Sequence, residues 1–299
     1  MSGDNRHFLN TARSLTNALA VFIKGRAMRN LTKIYRNTRY FLAKCLTGGD
    51  KNRIVRASKK FDVERFLQAL APVPIREPLI RIGGDGDGGY LVPDLLDGIE
   101  YCFSPGTSFT ADFELDLASR DITSFMADYS VDAPPFDNPR FVFEKKYLGS
   151  VNDAINMRLD DWVNRNVSHI SKDLILQMDI ERSEYAVLLD VSEETLGRFR
   201  IVVVEFHNFD MAFEVNGLAL LNAVFDKLLR QFSPVHIHPN NYSPAEWHFG
   251  LEIPPVLEFT FLRNDFVQKD AHPLIFPHPL DRLNNEKKAD VVLPEYWWS

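Results

Sequence analysis

Along residues 61–263, short runs of apolar residues alternate with stretches in which apolar residues recur every three or four positions. The short runs are rich in valine, isoleucine and phenylalanine and predict strands, whereas the longer period predicts helices that bury one face. Predicted strands cover residues 99–103, 122–129, 140–147, 173–179, 199–207, 234–238 and 255–263. Predicted helices cover residues 61–70, 108–120, 151–166, 183–191 and 216–232, and the third of these could break near Leu159.

The most apolar run, IVVVEF at residues 201–206, has Glu205 as its one polar residue. Such a strand is buried on both faces, as in a sheet covered by helices on each side. Together with the alternation of strands and helices, this run predicts a doubly wound, mostly parallel α/β sheet. The strands at 234–238 and 255–263 follow one another without a helical pattern between them, which predicts an antiparallel last strand.

Charge divides the chain into two parts. The net charge is -7, but residues 1–60 carry 14 Lys and Arg against two acidic residues, or +12, and the remainder carries 20 basic against 39 acidic residues, or -19. We therefore predict a basic, amphipathic, helical extension over residues 1–60, with its helices within 8–46, and a main domain over 61–299. Residues 8–46 have the composition of a segment that binds an anionic membrane surface or a partner protein, or else packs on the main domain. The acidic main domain argues against nucleic-acid binding.

The longest apolar run, ALAVFI at residues 18–23, ends at Lys24 and is too short to span a bilayer. We expect neither a transmembrane helix nor a cleaved signal peptide. Two distant cysteines, Cys45 and Cys102, do not form a disulfide framework and fit an intracellular setting. These features predict a cytoplasmic protein.

Polar residues follow several of the predicted strands, at the edge where a doubly wound sheet binds its ligands. The first strand leads into a glycine turn, SPGTS, and the second ends at Asp128, about twenty residues beyond Gly106. The turn offers backbone N–H groups, and an acid at this spacing accepts both ribose hydroxyls of a nucleoside. The predicted cofactor-binding residues here are Ser104, Gly106, Thr107, Ser108 and Asp128. The later strands supply four predicted catalytic residues, Asp179, Glu205, His207 and His238, while His236 is expected to be a core histidine.

The turn contains one glycine where a pyrophosphate-binding loop has the pattern G-x-G-x-x-G. This argues against a dinucleotide and favours a nucleoside cofactor without pyrophosphate, such as S-adenosylmethionine. An NAD-dependent enzyme acting on sugars is therefore a weaker alternative.

A second glycine-rich stretch, GGDGDGGYLVPD, spans residues 83–94. As a calcium loop starting at Asp85 it has Gly89 at the fifth position and Leu96 at the twelfth, where a bidentate glutamate is needed. As a phosphate loop it lacks the following helix with lysine. It is instead a predicted glycine hairpin just before the first strand of the sheet, with backbone angles that only glycine adopts easily.

The segment DLILQMDIERSEYAVL, from residue 173, resembles the hallmark segment of the FkbM-like methyltransferases, and LDDW at 159–162 resembles the Leu-Asp-Asp that precedes it. RIGGDGDGGYLVPD, VVVEFH and HPNN with PPVLEFTFLR are similar to the methyltransferase-like-24 branch. Asp-Gly-Gly-Tyr is a signature of the family that the chain resembles, which implies that this loop folds over the cofactor end of the sheet, with Asp87, Gly89 and Tyr90 as candidate contacts to cofactor or acceptor. The resemblance covers residues 78–265. Gln177 stands where the family has lysine, and ERSE at 181–184 stands where it has Glu-Gly-Ala-Glu.

The resemblance implies a class I S-adenosylmethionine-dependent methyltransferase with a Rossmann-like, seven-stranded sheet. It implies methylation of a hydroxyl, of a sugar in a glycan or polysaccharide or of a small natural product. His207 or Asp179 is then the first candidate for a general base. The four candidate catalytic residues could equally hold a divalent metal, although histidines make Mg²⁺ less suitable.

Polysaccharide assembly would give residues 8–46 a role at the inner face of the membrane or on a glycosyltransferase. The alternative from another class is a non-catalytic scaffold or binding protein with the same fold.

Overall fold

The computed structural model describes residues 55–167, 173–270 and 274–298. Within the chain, Ala57–Ser299 forms one compact unit. The predicted helices within residues 8–46 lie outside the described residues, so the basic extension remains a prediction. In the described ranges, no helix combines the length and apolar composition that a membrane crossing needs.

Thirteen strands lie between the first helix and residue 263 in the part of the chain that the structure describes. In chain order they are β1 (Leu79–Ile82), β2 (Tyr90–Pro93), β3 (Tyr101–Pro105), β4 (Thr123–Ala127), β5 (Phe141–Glu144), β6 (Tyr147–Gly149), β7 (Asn156–Arg158), β8 (Leu174–Met178), β9 (Phe199–His207), β10 (Phe232–Pro239), β11 (Glu246–His248), β12 (Leu251–Ile253) and β13 (Val256–Arg263). The helices are α1 (Lys60–Ala69), α2 (Asp112–Ser119), α3 (Leu159–Asn166), α4 (Glu184–Asp190), α5 (Glu193–Leu196) and α6 (Val215–Leu228). Short 3₁₀ helices cover Phe209–Phe213, Asn264–Phe266 and Glu295–Trp297.

The central sheet has seven strands in the order β10-β13-β9-β8-β3-β4-β5. Strand β13 is antiparallel to both of its neighbours, β9 and β10. The pairs β9-β8, β8-β3, β3-β4 and β4-β5 are parallel. This arrangement confirms the predicted doubly wound sheet and its antiparallel last strand. The carboxyl ends of the parallel strands consequently meet at one edge.

Both faces of the sheet are covered, as the apolar strands predict. In β9, Val202 and Val204 belong to one buried cluster, and Ile201 and Val203 belong to another. In β3, Phe103 and Cys102 divide in the same way. Because successive strand residues point to opposite faces, the two clusters lie on the two sides of the sheet.

The predicted helix over residues 151–166 is wrong in its first half. The helix begins at Leu159, and residues 156–158 form β7, which pairs in parallel with β6. The cause is local, because the Asp153 side chain accepts hydrogen bonds from the backbone N–H groups of Ile155 and Asn156 at 2.8 Å each. Such an aspartate turn offers the backbone an alternative to helical bonding. The predicted strand over 140–147 likewise divides into β5 and β6.

Candidate functional site

A cavity of about 710 Å³ opens at the carboxyl ends of β3, β4 and β8. Its lining includes residues from the turn after β3, from the end of β4 and from the end of β8, as the topology predicts. Six of the eight predicted cofactor-binding residues line it: Asp87, Tyr90, Gly106, Thr107, Ser108 and Asp128. The other two, Gly89 and Ser104, do not line it.

Gly106 is the tightest point of the turn after β3. Its φ is +91°, and a Cβ placed there would lie 1.6 Å from the backbone oxygen of Asp179 and 2.7 Å from its carbonyl carbon. The Gly106 N–H also donates to the Ala127 oxygen at 2.8 Å. Only glycine therefore allows the turn after β3 to lie against both neighbouring strand ends.

Asp128 fastens the same turn from the other side. Its carboxylate accepts hydrogen bonds from Ser108 N at 3.0 Å and from Ser130 N at 2.7 Å, one on each oxygen. Each carboxylate oxygen has a second lone pair, and Asp128 lines the cavity, so it can still accept a ligand hydroxyl. The structure thus gives Asp128 a loop-fastening contact in addition to its predicted ligand contact.

The glycine-rich stretch forms the predicted hairpin. Strands β1 and β2 pair in antiparallel fashion, and Arg81 donates into the loop between them, to Gly84 O at 2.7 Å and Gly86 O at 2.8 Å. Gly89 packs inside this loop, where a Cβ would lie 2.2 Å from Gly84 O. Asp87 and Tyr90 reach the cavity, so the loop is one wall of it.

A chain of buried polar side chains runs beneath the turn. The Ser104 hydroxyl contacts Glu114 Oε1 and lies 2.7 Å from Gln177 Oε1, and the Gln177 amide donates to the Tyr90 hydroxyl at 3.3 Å. All four residues are at most 8% exposed, and Glu114 and Gln177 line the cavity. Glu114 was not predicted as a site residue. In the sequence it follows the apolar Phe113 in the predicted helix 108–120.

Three of the four predicted catalytic side chains lie together at the ends of β8 and β9. Asp179, Glu205 and His207 each offer an atom within 4.8 Å of the others. His207 Nε2 lies 3.9 Å from Asp179 Oδ1 and 3.5 Å from Glu205 Oε1. Asp179 lines the cavity, whereas Glu205 and His207 do not. Asp179 is therefore the member through which this cluster meets the cavity.

Glu184 holds the histidine of this cluster. It begins α4 and is fully buried, and its Oε1 accepts from Ile180 N, Arg182 N and His207 Nδ1, the last at 3.1 Å. Glu184 is not among the predicted site residues. The contact places the proton of a neutral His207 on Nδ1 and leaves Nε2 as the acceptor.

Burial and neighbouring charges favour protonated forms in this cluster. Burial raises the pKa of Asp179 to about 7, with the charge of His207 opposing the shift and that of Glu181 adding to it. Burial also raises the pKa of Glu205 well above its usual value. Burial by itself would lower the pKa of His207, but the hydrogen bond to Glu184 and the acidic neighbours raise it. An acid with the pKa of Asp179 exchanges its proton near neutral pH.

A second acidic group adjoins the first through Glu205. Glu205 and Glu258 are register partners on β9 and β13, and together with Asp87 they offer oxygens within 4.8 Å of one another. Asn284 donates to Glu258 Oε1 at 2.6 Å and to Asp87 Oδ1 at 3.1 Å. Glu258 and Asn284 were not predicted as site residues. A glutamate in the apolar segment VLEFTF was the one available sign.

His238 lies apart from the three-residue cluster. It lines a different cavity, of about 130 Å³, and its Nδ1 is 3.7 Å from Asp281 Oδ2. His236 is buried and lies 2.9 Å from Asp281 Oδ1, as expected for a core histidine with a polar partner. Among the described residues, the groups able to hold a metal contain Asp179, Glu205 and His207 but not His238.

Comparison with protein-family models gives no match, and comparison with curated proteins gives none either. Among solved structures, the chain is similar to a putative hemolysin from Streptococcus thermophilus, with 12% identity, 74% of this chain and 72% of that chain covered, and a TM-score of 0.32. It is also similar to a TehB-like SAM-dependent methyltransferase from Corynebacterium glutamicum, with 11% identity, 80% and 100% covered, and a TM-score of 0.27. Both likenesses are distant, and the strand order of the sheet decides the fold. The fold is that of the class I methyltransferases.

Proposed function

We propose that the protein is an S-adenosylmethionine-dependent O-methyltransferase that acts on a sugar hydroxyl of a glycan or polysaccharide. The observation that carries the proposal is the cavity after β3 and β4, in which a single-glycine turn faces Asp128 and Asp179 closes the third side. A small natural product is the alternative acceptor. The resemblance of residues 78–265 to FkbM-like enzymes supports the same reaction.

The cavity suits this cofactor. Its volume of about 710 Å³ lies within the range of small-molecule sites. The single glycine at position 106 lets the turn lie close to the end of β8. The turn lacks the further glycines that a pyrophosphate-binding loop needs. Asp128 lines the cavity with acceptor capacity for ribose hydroxyls. When bound, the cofactor supplies an activated methyl group on a sulfonium.

The protein's own part in such a transfer is to position the acceptor oxygen and to remove its proton. Asp179 lines the cavity and is the candidate to take that proton. His207 stands behind it, with Nδ1 tied to Glu184 and Nε2 facing Asp179, so it can receive the proton or orient the carboxylate. Glu205 completes this relay from β9.

A divalent cation is compatible with the same cluster. Asp179, Glu205 and His207 would hold it, and this mixed oxygen and nitrogen donor set suits Mn²⁺ or Zn²⁺ better than Mg²⁺. Bound there, the ion would polarise the acceptor oxygen. Titration of the protein with MnCl₂ in a calorimeter tests this: heat that is lost in His207→Ala supports the ion, and an absence of heat in the wild type contradicts it.

The cellular setting follows from the same proposal. A cytoplasmic enzyme of surface-polysaccharide assembly would use the basic residues 8–46 to meet the inner face of the membrane or a glycosyltransferase. Flotation with vesicles containing anionic phosphatidylglycerol, with and without residues 1–46, tests this. Equal flotation of the two forms contradicts a membrane role for the segment.

Isothermal titration calorimetry tests the cofactor. S-adenosylmethionine and its demethylated product are expected to bind, NADH is not, and Asp128→Asn is expected to weaken binding at least tenfold, since a neutral amide accepts hydroxyl hydrogen bonds less strongly. Asp116→Asn is a matched control, because Asp116 instead accepts from Gly83 N at 2.9 Å. Unchanged affinity in Asp128→Asn would refute the ribose contact, and binding of neither cofactor would favour a non-catalytic scaffold.

A transfer assay tests the acceptor. The protein is incubated with S-adenosylmethionine carrying a deuterated methyl group and with a panel of oligosaccharides, and the products are examined by mass spectrometry. A mass gain on a sugar supports the proposal. Cofactor binding with no transfer to any sugar, but transfer to a small aglycone, would replace the glycan with a natural-product acceptor.

A further inference from the structure

In the orientation that the structure gives Gln177, the buried side chains beneath the cofactor cavity form a hydrogen-bond chain that lacks one donor if every acid in it is ionised. Ser104 Oγ faces two oxygens, Glu114 Oε1 and Gln177 Oε1. A hydroxyl has one proton and donates one hydrogen bond, so it cannot satisfy both oxygens. With the Gln177 amide oriented to donate to Tyr90, Ser104 donates to Gln177, and its contact with Glu114 is a hydrogen bond when Glu114 carries the proton and donates to Ser104. Ser104 can donate to an ionised Glu114 only when the Gln177 amide is rotated.

The surroundings of Glu114 agree with a neutral acid. The residue is 3% exposed and Ser104 is fully buried. The groups that face it are Cys102 from β3, Asp112 from its own helix, and the uncharged Gln177 and Tyr90 from β8 and β2. Among the described residues, no positively charged side chain lowers the pKa of Glu114. Burial raises the pKa of Glu114 to about 7, although the contact with Ser104 opposes the shift.

Glu114 also lines the cavity, together with Gly106 and Gln177. A positive charge that enters the cavity therefore arrives beside a proton that is held weakly near neutral pH. On the proposed function, the ligand of this cavity carries such a charge on its sulfonium. Binding of the positively charged ligand should therefore favour the ionised form of Glu114.

We infer that Glu114 is neutral in the ligand-free protein and releases its proton when the cationic cofactor binds, so that the resulting carboxylate positions the methyl donor. The inference rests on the proposed function and deepens it. The proton passes from Glu114 to the solvent. The hydrogen-bond chain then reverses, with Ser104 donating to the carboxylate and the rotated Gln177 amide donating to Ser104.

The inference has a quantitative consequence. At pH 6.0 about nine-tenths of an acid with a pKa of about 7 is protonated, so binding releases up to about 0.9 proton per cofactor. Because the charged form binds the cation better, affinity for S-adenosylmethionine rises about tenfold from pH 6 to pH 8 and then levels off. S-adenosylhomocysteine lacks the sulfonium charge and is expected to release fewer protons.

Calorimetry of the full chain in two buffers of different ionisation enthalpy measures the number of protons released. In Glu114→Gln the amide can replace the neutral acid as a donor to Ser104, so we expect S-adenosylmethionine to bind with no release from this site and no tenfold rise in affinity. Asp179→Asn removes any release from the other cavity acid with a pKa of about 7, so the release that remains in this variant and is lost in Glu114→Gln belongs to Glu114.

Three outcomes overturn the inference: no release in the wild type, equal release in the wild type and in Glu114→Gln, or equal release with both ligands. If S-adenosylmethionine does not bind at all, the proposed function fails first. A far-ultraviolet circular dichroism spectrum and a melting temperature of Glu114→Gln show whether a loss of binding reflects unfolding. If Glu114→Gln does not fold, the pH dependence of affinity in the wild type and in Asp179→Asn still decides, because a flat profile in both contradicts the inference.

Discussion

Replacing Gly106 with alanine is expected to lower both stability and cofactor affinity. The added Cβ would lie 1.6 Å from the Asp179 carbonyl oxygen, so the ends of β3 and β8 must separate by about 1.4 Å to reach the 3.0 Å below which real contacts are essentially never found. The residue also keeps φ near +91°, which costs a non-glycine residue about 1–2 kcal/mol. Overpacking of a close contact adds about 1–3 kcal/mol. The expected loss is therefore about 2–5 kcal/mol, a large part of a typical domain stability.

Urea denaturation, followed by tryptophan fluorescence, measures this loss, and calorimetry with S-adenosylmethionine measures the affinity. Gly98→Ala is the matched control, because Gly98 has φ +81° but its added Cβ would meet nothing closer than Arg200 at 3.9 Å. The control should lose only the conformational cost, about 1–2 kcal/mol, and keep its cofactor affinity. If the free energy of unfolding falls equally in the two variants, the close approach of Gly106 to Asp179 does not add the expected ~1–3 kcal/mol.

Three further predictions concern other parts of the fold. Trp297→Ala should lower the free energy of unfolding, measured by urea denaturation, by about 3–5 kcal/mol. The reason is that the ring is fully buried, with its centroid 6.2 Å from that of Phe209. A loss below about 1 kcal/mol would show that the segment around Trp297 is not part of the core. Burial opposes the ionisation of Asp281, but the contact with His236 outweighs it and holds the pKa of Asp281 below its usual range. Its stabilisation is present above about pH 4 and lost as the pH falls further, so Asp281→Asn should show a smaller drop in melting temperature than wild type between pH 5 and pH 3. Asp179→Asn should reduce methyl transfer at least about 100-fold with cofactor affinity changed by less than about threefold, and unchanged transfer would exclude Asp179 as the base.

The sheet and the cofactor side of the site could be predicted because both depend on local sequence. Continuous apolar runs such as residues 201–206 define buried strands wherever they occur, and ligand residues in this fold follow directly after strands. Gly106 and Asp128 were found by this rule. The structure places both on the cavity, about where the spacing predicts.

The acidic side of the site could not be predicted in the same way, because its members come from distant parts of the chain. Asn284 donates to Asp87, which lies 197 positions earlier in the sequence. Glu258 joins the site only because strand pairing places it opposite Glu205. Glu114 is hidden for another reason. A glutamate in an amphipathic helix is normally a solvated residue, and nothing in the sequence shows that this one is buried beside Ser104.

The error at residues 151–166 shows a local limit of periodicity. The apolar spacing there fits a helix, but Asp153 bonds its own neighbouring N–H groups and Asn152 Oδ1 accepts from Arg158 N at 2.9 Å. Side-chain to backbone bonds of this kind compete directly with the first turns of a helix.

The contact between Asn284 and Asp87, together with the burial of Trp297, also bears on how the protein is made. During synthesis, Asp87 of the glycine-rich wall is made 197 residues before its partner Asn284. Until that partner emerges from the ribosome, the buried Glu258 carboxylate of β13 lacks the amide that joins it to this wall. A nascent chain can therefore form most of its sheet while its site is still open, and the site is completed only after residue 284 has been synthesised.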